Sequence, residues 1–237
     1  MKERSIELRR YFTLVRTLIY NKKRRHRLLL ISGMLALAIV VVLTFLASVY
    51  TVLPLDVWFT RELQEDQGVI VNNLMYAVSC IGYMPWSAIT VLLGSLLVGV
   101  FLNWRDGVYL AAITVVQGVI NAAIKGTIGR PRPLEDLVEV LVSAPGFSFP
   151  SGHVMFYTVF FGFLLFRIIT SVSRKHLRLV LGLPCAALVV AVGPSRIILG
   201  VHWLTDVIAA YLLGLVILLL AIEFYLHYLA PTTIAHR

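Results

Sequence analysis

Between residues 28 and 222 the chain is a series of long apolar runs separated by short polar turns, and that pattern limits what it can fold into. An uncharged run of about 20 residues has no wet face to present. In a bilayer it must satisfy its own backbone hydrogen bonds, which leaves the α-helix. Mean hydropathy is +0.87, with 59% hydrophobic and 14% charged residues. The surface of a soluble domain of this size would carry more charge. The expected fold class is therefore all-α: a polytopic membrane protein.

Six spans are expected, over residues 28–50, 85–102, 108–124, 154–170, 179–194 and 203–222. Residues 1–27 hold ten of the 21 Lys and Arg. There Leu8, Phe12, Val15 and Ile19 form an apolar helical stripe with Arg9, Arg10 and Arg16 off it. This segment reads as a cytoplasmic basic amphipathic helix on the inner membrane surface, or as a basic tail. Residues 28–237 then form the six-span domain, its first span uncleaved because a signal peptide would have a shorter core nearer the N-terminus. Residues 56–67 suggest a short helix capped by Asp56, with Trp58, Phe59 and Leu63 at the membrane interface. Residues 69–84 suggest a helix along the outer face, and Arg167 is expected to snorkel at an inner span end.

With the N-terminus in the cytoplasm, sixteen of the 21 basic residues fall inside, as positive charge does in membrane proteins. The net charge of +9 thus follows from topology, and no nucleic-acid partner is expected. The outer minority includes Lys125, Arg130, Arg132 and Arg196, whose placement orientation does not explain. Cys80 and Cys185 form no disulfide framework.

Three polar clusters interrupt the apolar pattern. In the first, Lys125 is followed by Arg132-Pro133; prolines on both sides of Arg132 stiffen the backbone and fix the cation. In the second, Pro150-Ser151-Gly152-His153 opens a span. A helix N-terminus presents unpaired N–H groups and partial positive charge to an anion, and glycine lets a ligand approach the backbone. In the third, Ser195-Arg196 precedes His202 and Asp206. Four residues apart, that pair is expected to share a helical face, where a carboxylate selects one imidazole tautomer. Each cluster has a plain structural explanation: a boundary lysine, a Ser-Gly helix start, a local His–Asp pair. Counting spans, however, puts all three on one membrane side. Of the six histidines only His153 and His202 lie there. Three cations, two imidazoles and one carboxylate suit a phosphate dianion. A divalent cation would draw on more carboxylates, so no metal and no cofactor are expected.

In order and spacing these motifs resemble the three-part signature of the type 2 phosphatidic acid phosphatase family, at eleven positions from Lys125 to Asp206. The resemblance implies a membrane lipid phosphatase similar to phosphatidylglycerophosphatases and undecaprenyl diphosphate phosphatases, working through a phosphohistidine. It implies His202 as nucleophile, Asp206 as its orienting group and His153 as general acid. Lys125, Arg132, Ser151, Gly152 and Arg196 would hold the phosphoryl oxygens. The site would face the extracytoplasmic side of a bacterial inner membrane, and the partners would be the lipid substrate and the bilayer. A lipid phosphotransferase and a non-enzymatic lipid transporter fit the same cationic site; a vanadate-dependent peroxidase shares the constellation but is soluble.

Overall fold

The computed structural model describes residues 22–229. The amphipathic helix expected at the N-terminus lies almost wholly outside them. Among the described residues there are eight α-helices and no strand: α1 Lys22–Val49, α2 Pro54–Gln64, α3 Val69–Cys80, α4 Trp86–Phe101, α5 Trp104–Ile128, α6 Gly152–Ser171, α7 Lys175–Ile198 and α8 Leu204–Phe224, the last closed by a π-helical turn, Tyr225–Leu229. Five of these are long and apolar enough to cross a bilayer: α1 from Leu29, α5, α6, α7, and α8 through Leu229. The stretch expected to be the second span forms α4, whose 16 residues reach only about 24 Å, short of a bilayer core of about 30 Å, so it is not among the five.

Helix α6 is the axis of the bundle. It is the most enclosed of the five, and α5, α7 and α8 pack around it. Lipid tails are as apolar as leucine, so burial alone does not hold such helices together; close packing does. Aromatic contacts between helices supply part of it, with Phe163 of α6 meeting Tyr109 of α5 and Tyr225 beyond α8 edge-on at 5.4 and 5.6 Å between ring centres. Small residues supply the rest. A Cβ on Gly214 would lie 2.9 Å from Thr158 Cβ, and one on Gly162 would lie 2.6 Å from Leu218 Cδ2. These glycines let α8 press against α6.

Several helix boundaries differ from the sequence expectation; both ends of α5 and the end of α7 do so for a local reason. Helix α5 begins earlier, because Asn103 caps it by accepting the Arg105 N–H at 3.0 Å. It ends later, where Gly129 takes the left-handed conformation (φ 64°) that closes a helix C-terminus. Helix α7 passes through Pro184 and Pro194 rather than stopping at residue 194. Pro194 has no N–H for the Val190 carbonyl. The Tyr211 hydroxyl of α8 donates there instead, at 3.2 Å and to Val189 at 2.7 Å, while accepting the Gly193 N–H at 2.9 Å. Ser195 and Arg196 are thereby carried on a helix and not on a loop.

Helix α2 also departs from expectation. Its N-cap is Leu53, with proline in the first turn, and Asp56 points inward, fully buried. Phe59 and Leu63 pack on the core; Trp58 alone stays exposed. Gln64 of α2 donates to the carbonyls of Glu139 at 2.7 Å and Ile198 at 2.9 Å, and Arg61 to Leu137 at 2.7 Å. These bonds hold the long 129–151 loop against the bundle.

Arg167 does not snorkel. It is 4% exposed, pairs with Asp106 at 2.6 Å, and lies over the Tyr225 ring, whose hydroxyl donates to the same carboxylate at 2.9 Å. The apolar pattern around it indicated a span end, whereas its partner lies on another helix. Removing one member of a buried pair strands the other charge, at a cost of about 3–5 kcal/mol. Asp106→Asn is therefore expected to lower the thermal unfolding midpoint in detergent clearly; an unchanged midpoint would show that the pair does not support the bundle.

Candidate active site

The opposite end of the bundle collects the polar clusters. Residue 202 precedes α8, whose N-cap is Trp203, so the His202–Asp206 pair is not on one helical face as the spacing suggests. The ring hangs from the connecting turn, and Asp206 sits in the first turn of α8, accepting the Trp203 N–H at 2.9 Å. The turn is fixed by Gly200 (φ 67°), where a Cβ would fall 2.1 Å from the Glu139 carbonyl oxygen. Only glycine fits that approach.

His202 is 2% exposed. Arg132 Nη1 donates to its Nε2 at 3.3 Å. A guanidinium can only donate, so the ring proton is assigned to Nδ1, which faces Asp206 Oδ2 at 3.5 Å. That gap is longer than a hydrogen bond. Burial first, and then Lys125, Arg132 and Arg196, hold the His202 pKa well below the ordinary histidine value. The imidazole is thus neutral at physiological pH, with its Nε2 lone pair turned toward the cations.

The cations are anchored by backbone carbonyls. Lys125, one turn from the end of α5, donates to Phe147 at 2.6 Å and Ser148 at 3.2 Å. Arg132 donates to Gly146 and Pro145 at 3.1 Å and to Val201 at 2.7 Å, tying the 129–151 loop to the turn before α8. Arg196, 1% exposed, donates to the Tyr83 hydroxyl at 2.7 Å and lies over that ring.

Pro150, Ser151, Gly152 and His153 form the start of α6. Ser151 occupies the N-cap position but makes no capping bond; its buried hydroxyl has no partner. A Cβ on Gly152 would sit 3.0 Å from Asn121 Oδ1 and 4.0 Å from Lys125 Cε, so the helix N-terminus opens beside the lysine. His153 packs edge-on against Tyr83 at 4.6 Å, over the bare backbone of Gly82. Its Nε2 is buried without a partner, and Arg196, His202, Arg132 and Lys125 are all within electrostatic reach of it. The eight residues expected from sequence therefore gather at one end of the bundle. Ser195 does not join them: its hydroxyl donates to Val192 at 2.7 Å and contacts Ser79 at 2.9 Å, locking α7 to α3.

Sequence reasoning missed the support behind Asp206. Arg130, 1% exposed, donates through Nη1 to Asp206 Oδ1 at 2.6 Å and Thr205 Oγ1 at 2.7 Å, and through Nη2 to Asp56 at 2.7 Å. Asp56 also accepts the Thr205 N–H and hydroxyl, both at 2.9 Å, and Ser148 Oγ donates to Asp206 Oδ2. Arg130 was visible only as an outer cation without an explanation. Asp56 looked like a helix cap, and Tyr83 fell in an apolar stretch with no polar pattern around it.

The fold and site together define an α-helical membrane protein with a cation-lined, two-imidazole site at one bundle end. Residues 106–228 match the PAP2 superfamily, and the chain belongs to that family. It is similar to phosphatidylglycerophosphatase B of Bacillus subtilis (strain 168), 32% identical over 117 residues. That match covers 48% of this chain and 56% of the relative, so it spans little more than half of that protein's length. The fold resembles the crystal structure of a transmembrane PAP2 type phosphatidylglycerolphosphate phosphatase from Bacillus subtilis. There the TM-score is 0.69 at 22% identity, over 81% of this chain and 96% of the other. It also resembles Aquifex aeolicus LpxE, with a TM-score of 0.58 at 20% identity over 72% and 96%.

If Arg130 positions Asp206, Arg130→Lys keeps the charge but cannot bridge two carboxylates. It is expected to lower kcat roughly tenfold to a hundredfold while the protein stays folded, since small misplacements of catalytic groups have effects of that order. Phosphate release and thermal unfolding measured side by side would check this; wild-type kcat in a folded variant would remove the assignment.

Proposed function

We propose that the protein is an integral membrane lipid phosphatase that removes the terminal phosphate of a lipid phosphomonoester or diphosphate through a phosphohistidine. One observation carries this reading: a buried neutral imidazole, backed by a carboxylate, with its reactive nitrogen turned toward a cluster of fixed cations at a helix N-terminus. His202 Nε2 attacks phosphorus; the N–P bond forms as the bond to the lipid oxygen breaks. His153, whose Nε2 has no competing partner, gives its proton to that leaving oxygen. Lys125, Arg132, Arg196, the Ser151 hydroxyl and the backbone N–H groups from Gly152 onward stabilise charge spread over the three equatorial oxygens. Asp206 balances the positive charge that develops on the His202 ring. Water then attacks phosphorus, His153 takes its proton, and inorganic phosphate leaves as His202 is regenerated.

The side chains gathered at the site are chiefly cationic, which supports a mechanism driven by positioned side chains. The family, and the similarity to a phosphatidylglycerophosphatase, favour phosphatidic acid, phosphatidylglycerophosphate or undecaprenyl diphosphate as substrates. The charge distribution favours a cytoplasmic N-terminus and an extracytoplasmic site in the bacterial inner membrane.

His202→Ala is expected to fold, to release no phosphate from any of these lipids, and to trap no label when quenched with substrate labelled at the terminal phosphate. Wild-type protein is expected to give an acid-labile, base-stable phosphoenzyme. Turnover by purified His202→Ala would remove the nucleophile. For sidedness, intact spheroplasts are expected to hydrolyse a membrane-impermeant short-chain substrate as fast as lysed ones; activity that appears only on lysis would place the site in the cytoplasm.

A further inference from the structure

A cavity of about 570 Å³ runs from the site into the membrane region between α4 and α5. Gly82, Gly152 and Asn121 line its site end. Leu92 and Val115, which also line it, are 69% and 62% exposed and apolar, as residues that face lipid are. Gln117 lines the inner wall at 3% exposure, and its amide has no hydrogen-bond partner among the described residues. That amide is not wholly enclosed and so opens onto the cavity, where a polar group in a membrane-spanning region gains from a hydrogen-bonding partner. Gln117, Asn121 and Lys125 are spaced four apart, which places them in a row on one face of α5. Gln117 therefore lies about 12 Å along the helix from the phosphate-binding lysine.

We propose that this cavity seats the glycerol–ester segment of the substrate, with the Gln117 amide donating to an ester carbonyl. The proposal rests on the lipid phosphatase reading and narrows its substrate class. A glycerolipid phosphate carries hydroxyl and ester oxygens in the stretch between its phosphate and its acyl chains. A polyprenyl phosphate is hydrocarbon over the same stretch and would leave the amide unpaired. Sites built to bond a polar group discriminate against analogues lacking it. The enzyme thus selects ester-linked glycerophospholipids.

The test compares phosphatidic acid with its ether-linked analogue, which differs only in lacking the two carbonyls, on purified protein in mixed micelles. Wild type is expected to favour the ester in kcat/KM by about threefold to tenfold, the worth of one net hydrogen bond. Gln117→Met, similar in length and apolar, is expected to abolish that preference. Equal use of both lipids by wild type, or an unchanged preference in Gln117→Met, would overturn the proposal. Binding of the matching non-hydrolysable phosphonates, ester and ether, gives a second readout that needs no turnover. Wild type is expected to bind the ester form more tightly, and Gln117→Met to bind both alike. If neither phosphate is hydrolysed, the phosphatase reading fails, while a retained ester preference in binding still supports the cavity's role.

Discussion

The site depends on a single guanidinium. Arg130 lies between two carboxylates, Asp56 and Asp206, all three wholly out of solvent. Either acid alone in that place would be expensive to ionise. Both Arg130 terminal nitrogens and the Thr205 bonds give each carboxylate hydrogen-bonding partners. This network joins α2, the start of the 129–151 loop and the first turn of α8. Those three segments are far apart in sequence, and together they fix where Asp206, and hence His202, can sit.

Charge at the site follows from that arrangement. Arg130 is shared between Asp56 and Asp206, so the three together leave one negative charge, against which Lys125, Arg132 and Arg196 set three positive ones. The result is a region of net positive potential beside a neutral imidazole. Backbone carbonyls hold two of the cations and Tyr83 the third, so little reorganisation is needed when an anion arrives. A phosphate dianion balances that potential in a way a neutral head group would not. The same potential disfavours a proton on His202, which preserves the lone pair that the proposed mechanism requires.

Hydropathy made the long helices legible, and charge placement made most of the site legible. Lys125, Arg130, Arg132 and Arg196 stood out as cations to which orientation gave no purpose, and His153, His202 and Asp206 through the spacing of the clusters they sit in. What stayed hidden depended on contacts across the bundle. Asp56 is 149 residues from Thr205, and no local pattern links them. Arg167 was read as a boundary residue because its partner Asp106 lies 61 positions away. Tyr83 looked like one more apolar-run aromatic until the fold placed it between His153 and Arg196. The end of α7 was misplaced for a related reason: the proline rule holds for an isolated helix, but here a tyrosine on α8 replaces the missing backbone bond.

These misses share a cause. In a bilayer, polar groups that face one another across helices need no local signature, because their partners only have to meet after the helices pack. Such residues look anomalous in sequence, each an isolated polar side chain in an apolar run. Gln117 belongs to this class as well. Arg167 finds its partner within the protein, and so does Arg130. Gln117 makes no hydrogen bond to the described residues, and its amide opens onto a cavity. A molecule that enters from the bilayer can supply a partner, because the cavity beside Gln117 extends from exposed apolar residues of α4 and α5 to Asn121 and Gly152 at the polar end of the bundle.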